Sequence, residues 1–258
     1  MSQNEGFACP TTGLWLLPAR RQTSFRVQKS SYPALSAPAR SDETDRMAWG
    51  RYDTIGTTLY LAQTAECAFS ECLAPFKRAI GTTDPLQKDA DALEMSLEDF
   101  YEEVASQWQE KSFMYSGTLP RIWRTERQLH IVELPFPGWW IDVEHPETMA
   151  AVEAAIPDTL KDLGVAHVDT GLLRSNRREV TTAIADHLRE LVLFDGSYAH
   201  GIRFGSRHGG FVNWAVWLRN HDLNVSGGDG LVLLQESPIH FNDPDLEAAS
   251  RRFKLKVF

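Results

Sequence analysis

Five polar side chains stand inside apolar or glycine-rich stretches of this 258-residue chain: Arg26, Arg51, Tyr60, Glu71 and Ser206. Charged groups set against apolar surface need a partner, a ligand or water, because an unpaired charge there is costly. Each also has a plainer reading. Arg26, between Phe25 and Val27, fits an exposed strand position, and Arg51 can cap a turn or pair with Asp53. Tyr60 fits a core aromatic with a bonded hydroxyl, Glu71 a solvated helix residue and Ser206 a turn serine. The surroundings narrow the chemistry further. Ser206 has no GxSxG context and no His–Asp pair at a recognisable spacing, so it is not read as a nucleophile. No GxGxxG follows a strand, which argues against a redox dinucleotide cofactor. No Cys/His cluster has zinc spacing, so no metal site is expected.

The elements that must position these groups start with residues 50–72, GRYDTIGTTLYLAQTAECAFSEC. A turn leads into a strand over 57–62, which carries Tyr60. A helix follows from Thr64, its N-cap, to about Lys77. Ala65, Ala68 and Cys72 share its core-facing stripe. Glu71 adjoins that stripe, which places its carboxylate at a cleft edge.

Residues 1–24 read as an irregular extension packed on the domain, and 25–27 as the start of a strand. Residues 30–45 and 81–92 have loop composition. The stretch 96–111 reads as a helix with Ser96 and Asp99 forming a capping box, and Leu97, Phe100, Val104 and Trp108 as its packing stripe. Residues 121–126 and 128–134 read as a hairpin, and 141–143 as a short strand. Residues 146–163 read as one helix begun by Pro146 and ended by Gly164, 170–176 as a loop and 177–193 as an amphipathic helix. Strands are expected at 201–204, 213–218 and 231–236, then a helix at 244–252 and a strand at 253–257. Strands and helices mix without a βαβ rhythm, which predicts an α+β fold.

Composition bounds the function. The length suits one large domain or two small ones. A net charge of −9 argues against general electrostatic binding of nucleic acid and leaves room for a local basic pocket. Three cysteines, Cys9, Cys67 and Cys72, without framework spacing suggest free thiols in a reducing compartment. No apolar run is long enough for a membrane span, and no secretory signal is seen. A cytoplasmic protein is the expectation.

Order and spacing add a resemblance. Ser24–Val27 (SFRV) with Arg26, residues 50–71 with Arg51, Tyr60 and Glu71, and residues 201–209 (GIRFGSRHG) with Ser206 resemble the three blocks of the RES-domain family. The eleven-residue step from Tyr60 to Glu71 is the family's own. REVTTAIADHLREL resembles the helix before the serine block, and the likeness runs from about residue 24 to residue 208. Departures are Tyr52 and Asp53 where the family has Trp and Asn, Gly205 where Pro is frequent, a long insert at about 80–118 and a long tail after about 209. The resemblance implies an ADP-ribosyltransferase-like fold, a mixed or antiparallel sheet core with surrounding helices, as a single domain over 25–258.

It also implies an enzyme that consumes NAD+ as substrate, without a cofactor. The nicotinamide–ribose bond would break by hydrolysis, phosphorolysis or ADP-ribosyl transfer. The chain would be the toxin of a toxin–antitoxin pair, partnered by an antitoxin, with a homo-oligomer left open. On that basis Glu71, Arg26 and Ser206 are the catalytic set. Glu71 would stabilise an oxocarbenium-like transition state, and Ser206 would hydrogen-bond the nicotinamide end. Arg26 and Arg51 suit the pyrophosphate. Tyr60, Tyr52 and His208 complete the substrate-binding set. The departures keep two other readings open: a nucleotide-binding protein without chemistry, and an interaction protein acting through its insert.

Overall fold

A computed structural model describes residues 6–84, 86–108 and 117–258. The chain forms an α+β fold around a mixed, mostly antiparallel sheet. Its strands in chain order are β1 (Phe7–Ala8), β2 (Trp15–Pro18), β3 (Thr23–Lys29), β4 (Ala39–Arg40) and β5 (Gly56–Ala62). After β6 (Thr118–Leu119) come β7 (Arg127–Glu133), β8 (Trp139–Asp142), β9 (Gly201–Gly205), β10 (Val212–Trp217), β11 (Val232–Pro238) and β12 (Lys256–Val257). Among the described residues ten strands make the main sheet, in the order β1-β2-β8-β9-β10-β5-β3-β7-β11, with β4 also on β5. Only β8 and β9 run parallel within it; β6 and β12 form a separate parallel pair.

The helices are α1 (Ala65–Leu73), α2 (Gln87–Ala92), α3 (Leu97–Trp108), α4 (Arg121–Thr125) and α5 (Pro146–Ala155). Then follow α6 (Pro157–Asp162), α7 (Thr170–Leu173), α8 (Arg178–Glu190), α9 (Arg219–Asp222) and α10 (Pro244–Phe253). Period-2 alternation assigns each strand two faces. Ile202, Phe204, Ala215 and Trp217 pack against Val152, Leu160, Leu173, Val180 and Ile184 of the helical layer. Leu59, Leu61, Trp140, Trp214 and Val216 form the opposite core. A third core joins Phe69 and Leu73 of α1 to Leu246, Ala249 and Phe253 of α10, over Phe25 and Val27 of β3.

One irregularity of the sheet positions the site. β5 pairs with β10 over five residues and β3 pairs with β7 over seven. β3 and β5 share a single pair, Phe25↔Ala62. The sheet therefore opens between them, and the groups bordering the opening are reachable from a cavity.

Several local expectations are corrected. The segment read as an irregular extension supplies β1 and β2, and β2 pairs with β8; Leu14 and Leu16 are buried. The first arm of the expected hairpin is helix α4, begun at Pro120, because Trp123 buries one side of a helical turn. The single helix expected over 146–163 breaks at Ile156, where Pro157 cannot supply an N–H. The helix after Thr64 ends at Leu73, and Pro75 holds a 3₁₀ turn beyond it. Short helices α2 and α7 occupy stretches expected as loops. The expected final strand at 253–257 shortens to Lys256–Val257 because α10 runs on through Phe253. Half of the expected Ser96–Asp99 capping box is present: Ser96 Oγ accepts the Asp99 N–H at 3.1 Å, while the Asp99 carboxylate accepts from the Ser96 hydroxyl at 2.6 Å. Phe100 is buried, whereas Val104 and Trp108 lie outside the described side chains.

Candidate functional site

Thr64 starts α1 by accepting the Cys67 N–H at 3.1 Å. This sets the phase of the helix. Ala65 and Ala68 face the core, and Glu71 is delivered to the opening of the sheet. A cavity of about 290 Å³ lies there. Its lining comes from β3 (Phe25, Arg26, Val27), the turn before β5 (Gly50, Arg51), β5 (Tyr60, Leu61, Ala62) and α1 (Ala68, Glu71, Cys72), with Arg178, Phe204 and Asn213. Glu71 is the sole carboxylate in that lining and faces three guanidinium groups.

Glu71 is held through one oxygen. Its Oε1 accepts from Ser206 Oγ at 2.7 Å and from Asn213 Nδ2 at 2.9 Å. Its Oε2 lies 3.9 Å from His208 Nε2. The Ser206 hydroxyl also accepts the His208 N–H at 3.0 Å, so both its donor and an acceptor position are in use. Ser206 directly follows β9 and is 2% exposed, with its backbone N–H bound to Phe211 O. Burial lowers the His208 pKa, and Glu71 opposes that shift. His208 therefore favours the neutral imidazole.

The cations are unequally satisfied. Burial pulls the Arg26 pKa down to about 10, opposed by Cys72, and its Nη1 donates to Ala34 O at 3.3 Å. Among the described residues, Nε and Nη1 of Arg51 are buried without a hydrogen-bond partner. The Arg51 guanidinium lies 5.5 Å from the Phe204 ring centre and 5.9 Å from that of Tyr52. Arg178, the first residue of α8, donates to Ser175 O at 3.2 Å. Burial and then the nearby Arg51 charge lower its pKa. Cations that repel across a cavity lined by one carboxylate favour an anionic ligand.

Tyr60 forms part of the wall. Its phenol oxygen accepts the Tyr52 N–H at 2.8 Å. Burial first, then the Asp53 carboxylate, raises its pKa well above the usual phenol value. Gly50 is required here, since a Cβ would sit 2.6 Å from both Tyr60 Oη and Asp53 Oδ1. Asp53 is fixed by Arg40 Nε at 2.8 Å and itself accepts the Gly50 N–H at 2.8 Å. Tyr52 is fully buried and donates to Leu173 O at 2.9 Å. It packs under Phe204, with ring centres 4.8 Å apart, as a support of the cavity rather than part of its surface.

The fold thus brings together residues far apart in sequence. Arg26, Arg51, Tyr60 and Glu71 line the cavity, Ser206 and His208 adjoin it through Glu71, and Tyr52 lies behind it. Two further residues belong here, Asn213 and Arg178. Asn213 carried a signal: it is the polar member of the β10 row shared with Ala215 and Trp217, which face one core. Arg178 carried none, because a charged residue in the first turn of an amphipathic helix is ordinary.

Among the described residues no group of three His, Cys, Asp or Glu could hold a metal ion, and no helix is long and apolar enough to cross a membrane. All three cysteines are free thiols. No family model and no curated protein matches the chain. Among solved structures it is similar to the crystal structure of the M. tuberculosis MbcT–MbcA toxin–antitoxin complex. The identity is 14%, the TM-score 0.42, and the alignment covers 92% of this chain and 91% of the other.

Proposed function

We propose that this chain is a RES-type, ADP-ribosyltransferase-like enzyme that binds NAD+ as substrate and cleaves its nicotinamide–ribose bond. The observation that carries the reading is the Glu71 carboxylate, held by Ser206 and Asn213 at a cavity with three arginines. A dinucleotide carries two phosphate charges beside a ribose that becomes cationic as nicotinamide departs. The cavity offers guanidinium groups to the first and a carboxylate to the second.

In this reading Arg51, with Arg26 and Arg178, binds the pyrophosphate by charge-assisted hydrogen bonds. Glu71 stabilises the oxocarbenium-like ribose through Oε2, which no hydrogen bond holds among the described residues. The C1′–N bond breaks, its electron pair leaves with neutral nicotinamide, and water or phosphate then adds to C1′ and gives up a proton. In this reading His208, whose Nε2 lies 3.9 Å from Glu71 Oε2, receives that proton. A carboxylate already oriented by two donors need not reorganise during the reaction, which is the main advantage of a preorganised site. Tyr60 and Phe204 supply aromatic wall. The setting is a toxin–antitoxin pair in the cytoplasm, with an antitoxin as protein partner, a role the RES resemblance supports.

The test is incubation of the purified chain with NAD+, with and without phosphate, followed by separation of products. Nicotinamide release that is lost in Glu71→Ala supports the proposal. Tight ADP-ribose binding without turnover would favour the alternative of a nucleotide-binding protein. Wild-type chain, shown free of any bound protein, that releases no nicotinamide sinks the enzymatic reading.

A further inference from the structure

Asn213 sits at the back of Glu71, on the second residue of β10. It is 4% exposed and registers between Phe204 of β9 and Ala62 of β5. Its amide is used at both ends. Nδ2 donates to Glu71 Oε1 at 2.9 Å, and Oδ1 accepts from Cys67 Sγ at 3.2 Å. Chemistry fixes this orientation. A carboxylate only accepts, so the NH₂ end must face Glu71. The Cys67 thiol is completely buried and pushed up to about 12 by burial and by Glu71. It therefore stays an S–H donor and satisfies the carbonyl end. A buried amide reversed in this setting would set oxygen against oxygen.

The result is a directed chain: Cys67 donates to Asn213, Asn213 donates to Glu71, and Ser206 donates to the same Glu71 oxygen. Cys67 and Glu71 lie on α1, so α1 and β10 are tied at two points four residues apart. With Oε1 fixed from two directions, the carboxylate cannot rotate, and Oε2 is left for the cavity.

We propose that Asn213, itself oriented by Cys67, is a positioning residue that fixes the rotamer of the Glu71 carboxylate and aims Oε2 at the substrate. The proposal rests on the reading of Glu71 as the catalytic carboxylate. Asn213 acts through Glu71, so its loss reduces turnover more than substrate binding. Asn213→Ala lowers kcat for nicotinamide release about ten- to hundredfold, the range for one hydrogen bond to a charged group, with KM changed less than about threefold. Cys67→Val lowers kcat less, and Cys67→Ser, which keeps a donor, restores it. Asn213→Asp sets a second carboxyl group against Glu71. Two carboxyls that close do not both ionise readily, so the acid limb of the pH–rate profile moves to higher pH. The other titratable and charged groups around Glu71 are the same in that variant: the Cys67 and Cys72 thiols on its own helix, His208 after β9, and Arg26, Arg51 and Arg178 across the cavity, while Arg252 of α10 stays bound to Glu66.

Crystal structures of wild type and Asn213→Ala give a readout independent of activity. A Glu71 side chain that swings away or spreads over rotamers supports the proposal. A Glu71 unmoved in Asn213→Ala, or kcat unchanged in that variant, overturns it. If Asn213 variants fail to fold, the Cys67→Val and Cys67→Ser pair decides, and equal kcat in the two overturns the proposal. If wild type releases no nicotinamide, the function proposed above fails, and the two crystal structures still decide whether Asn213 positions Glu71.

Discussion

Two arginine sites in this molecule are built to opposite rules. Arg189 of α8 is almost fully buried and bonded through both terminal nitrogens. Its Nη1 donates to Thr54 Oγ1 at 2.7 Å and Ile55 O at 2.8 Å, and its Nη2 donates to Asp222 Oδ2 at 2.6 Å. Asp222 also accepts the Thr57 N–H at 2.9 Å. This cluster clamps α8 and α9 to the start of β5. Arg51 stands at the cavity with two buried nitrogens unpartnered and no carboxylate bound to it among the described residues. A guanidinium paired with a carboxylate in this way holds elements together, and breaking the pair is costly. An open cation is a cost to the empty protein that a bound anion removes. Partner count, more than burial, separates Arg189 from Arg51 here.

The largest effect should come from breaking the closed site. Asp222→Ala leaves Arg189 buried without its counter-charge and is expected to cost about 3–5 kcal/mol of unfolding free energy, read by chemical denaturation. Ligand binding by the fraction that remains folded should be unchanged. Next, Glu71→Gln keeps the shape of the site and loses its charge. Nicotinamide release is expected to fall about 10²–10³-fold, roughly 2.7–4 kcal/mol, with little movement of the denaturation midpoint. An equal loss of stability in both variants would erase the contrast.

Arg51→Met sharpens the comparison from the other side. Calorimetry with ADP-ribose should show binding weakened by roughly ten- to hundredfold, the worth of a charge-assisted hydrogen bond. Stability should be unchanged or slightly higher, because an unsatisfied cation is replaced by an apolar chain. A marked destabilisation would mean that Arg51 is a structural residue.

The smallest effect is in pH dependence. Burial acts to raise the Asp222 carboxyl, but hydrogen bonds from Arg189 and Thr57 hold it below the usual value of 3.8. The unfolded chain therefore takes up this proton first as pH falls. Its stabilisation is complete above the ordinary aspartate range and is lost as pH drops through the lowered folded value. Denaturation curves between about pH 2 and 6 should show this slope in wild type and a reduced slope in Asp222→Asn.

Much of this was legible in local sequence. Thr57–Ala62 as a strand, Thr64 as an N-cap and residues 178–190 as an amphipathic helix follow from propensity, capping and periodicity, which act over a few residues. The stretches that failed were decided elsewhere. Residues 7–18 lack a strong strand pattern and become strands because β8 offers an edge to pair with. Residues 121–125 look strand-like and coil because Trp123 finds a core to fill. At the site, Arg26, Arg51, Tyr60 and Glu71 were visible as polar residues in apolar company. Asn213 and Arg178 were not singled out: the one signal of Asn213 is a polar group in the row of Ala215 and Trp217, and Arg178 carries none.

The sequence alone determined which chemical groups this protein possesses: a carboxylate eleven residues beyond a strand tyrosine, arginines at residue 26 and in the turn before β5, and a serine in a glycine-rich turn. It also determined the local elements that carry them. Only the tertiary structure decided that β3 and β5 part after a single pair, that Ser206 and Asn213 meet one oxygen of Glu71, and that Arg189 is closed while Arg51 is open. The bonds from Ser206 and Asn213 to Glu71 and from Arg189 to Thr54 join residues 135 or more positions apart. No local propensity encodes such contacts, and each forms only when the whole sheet has packed.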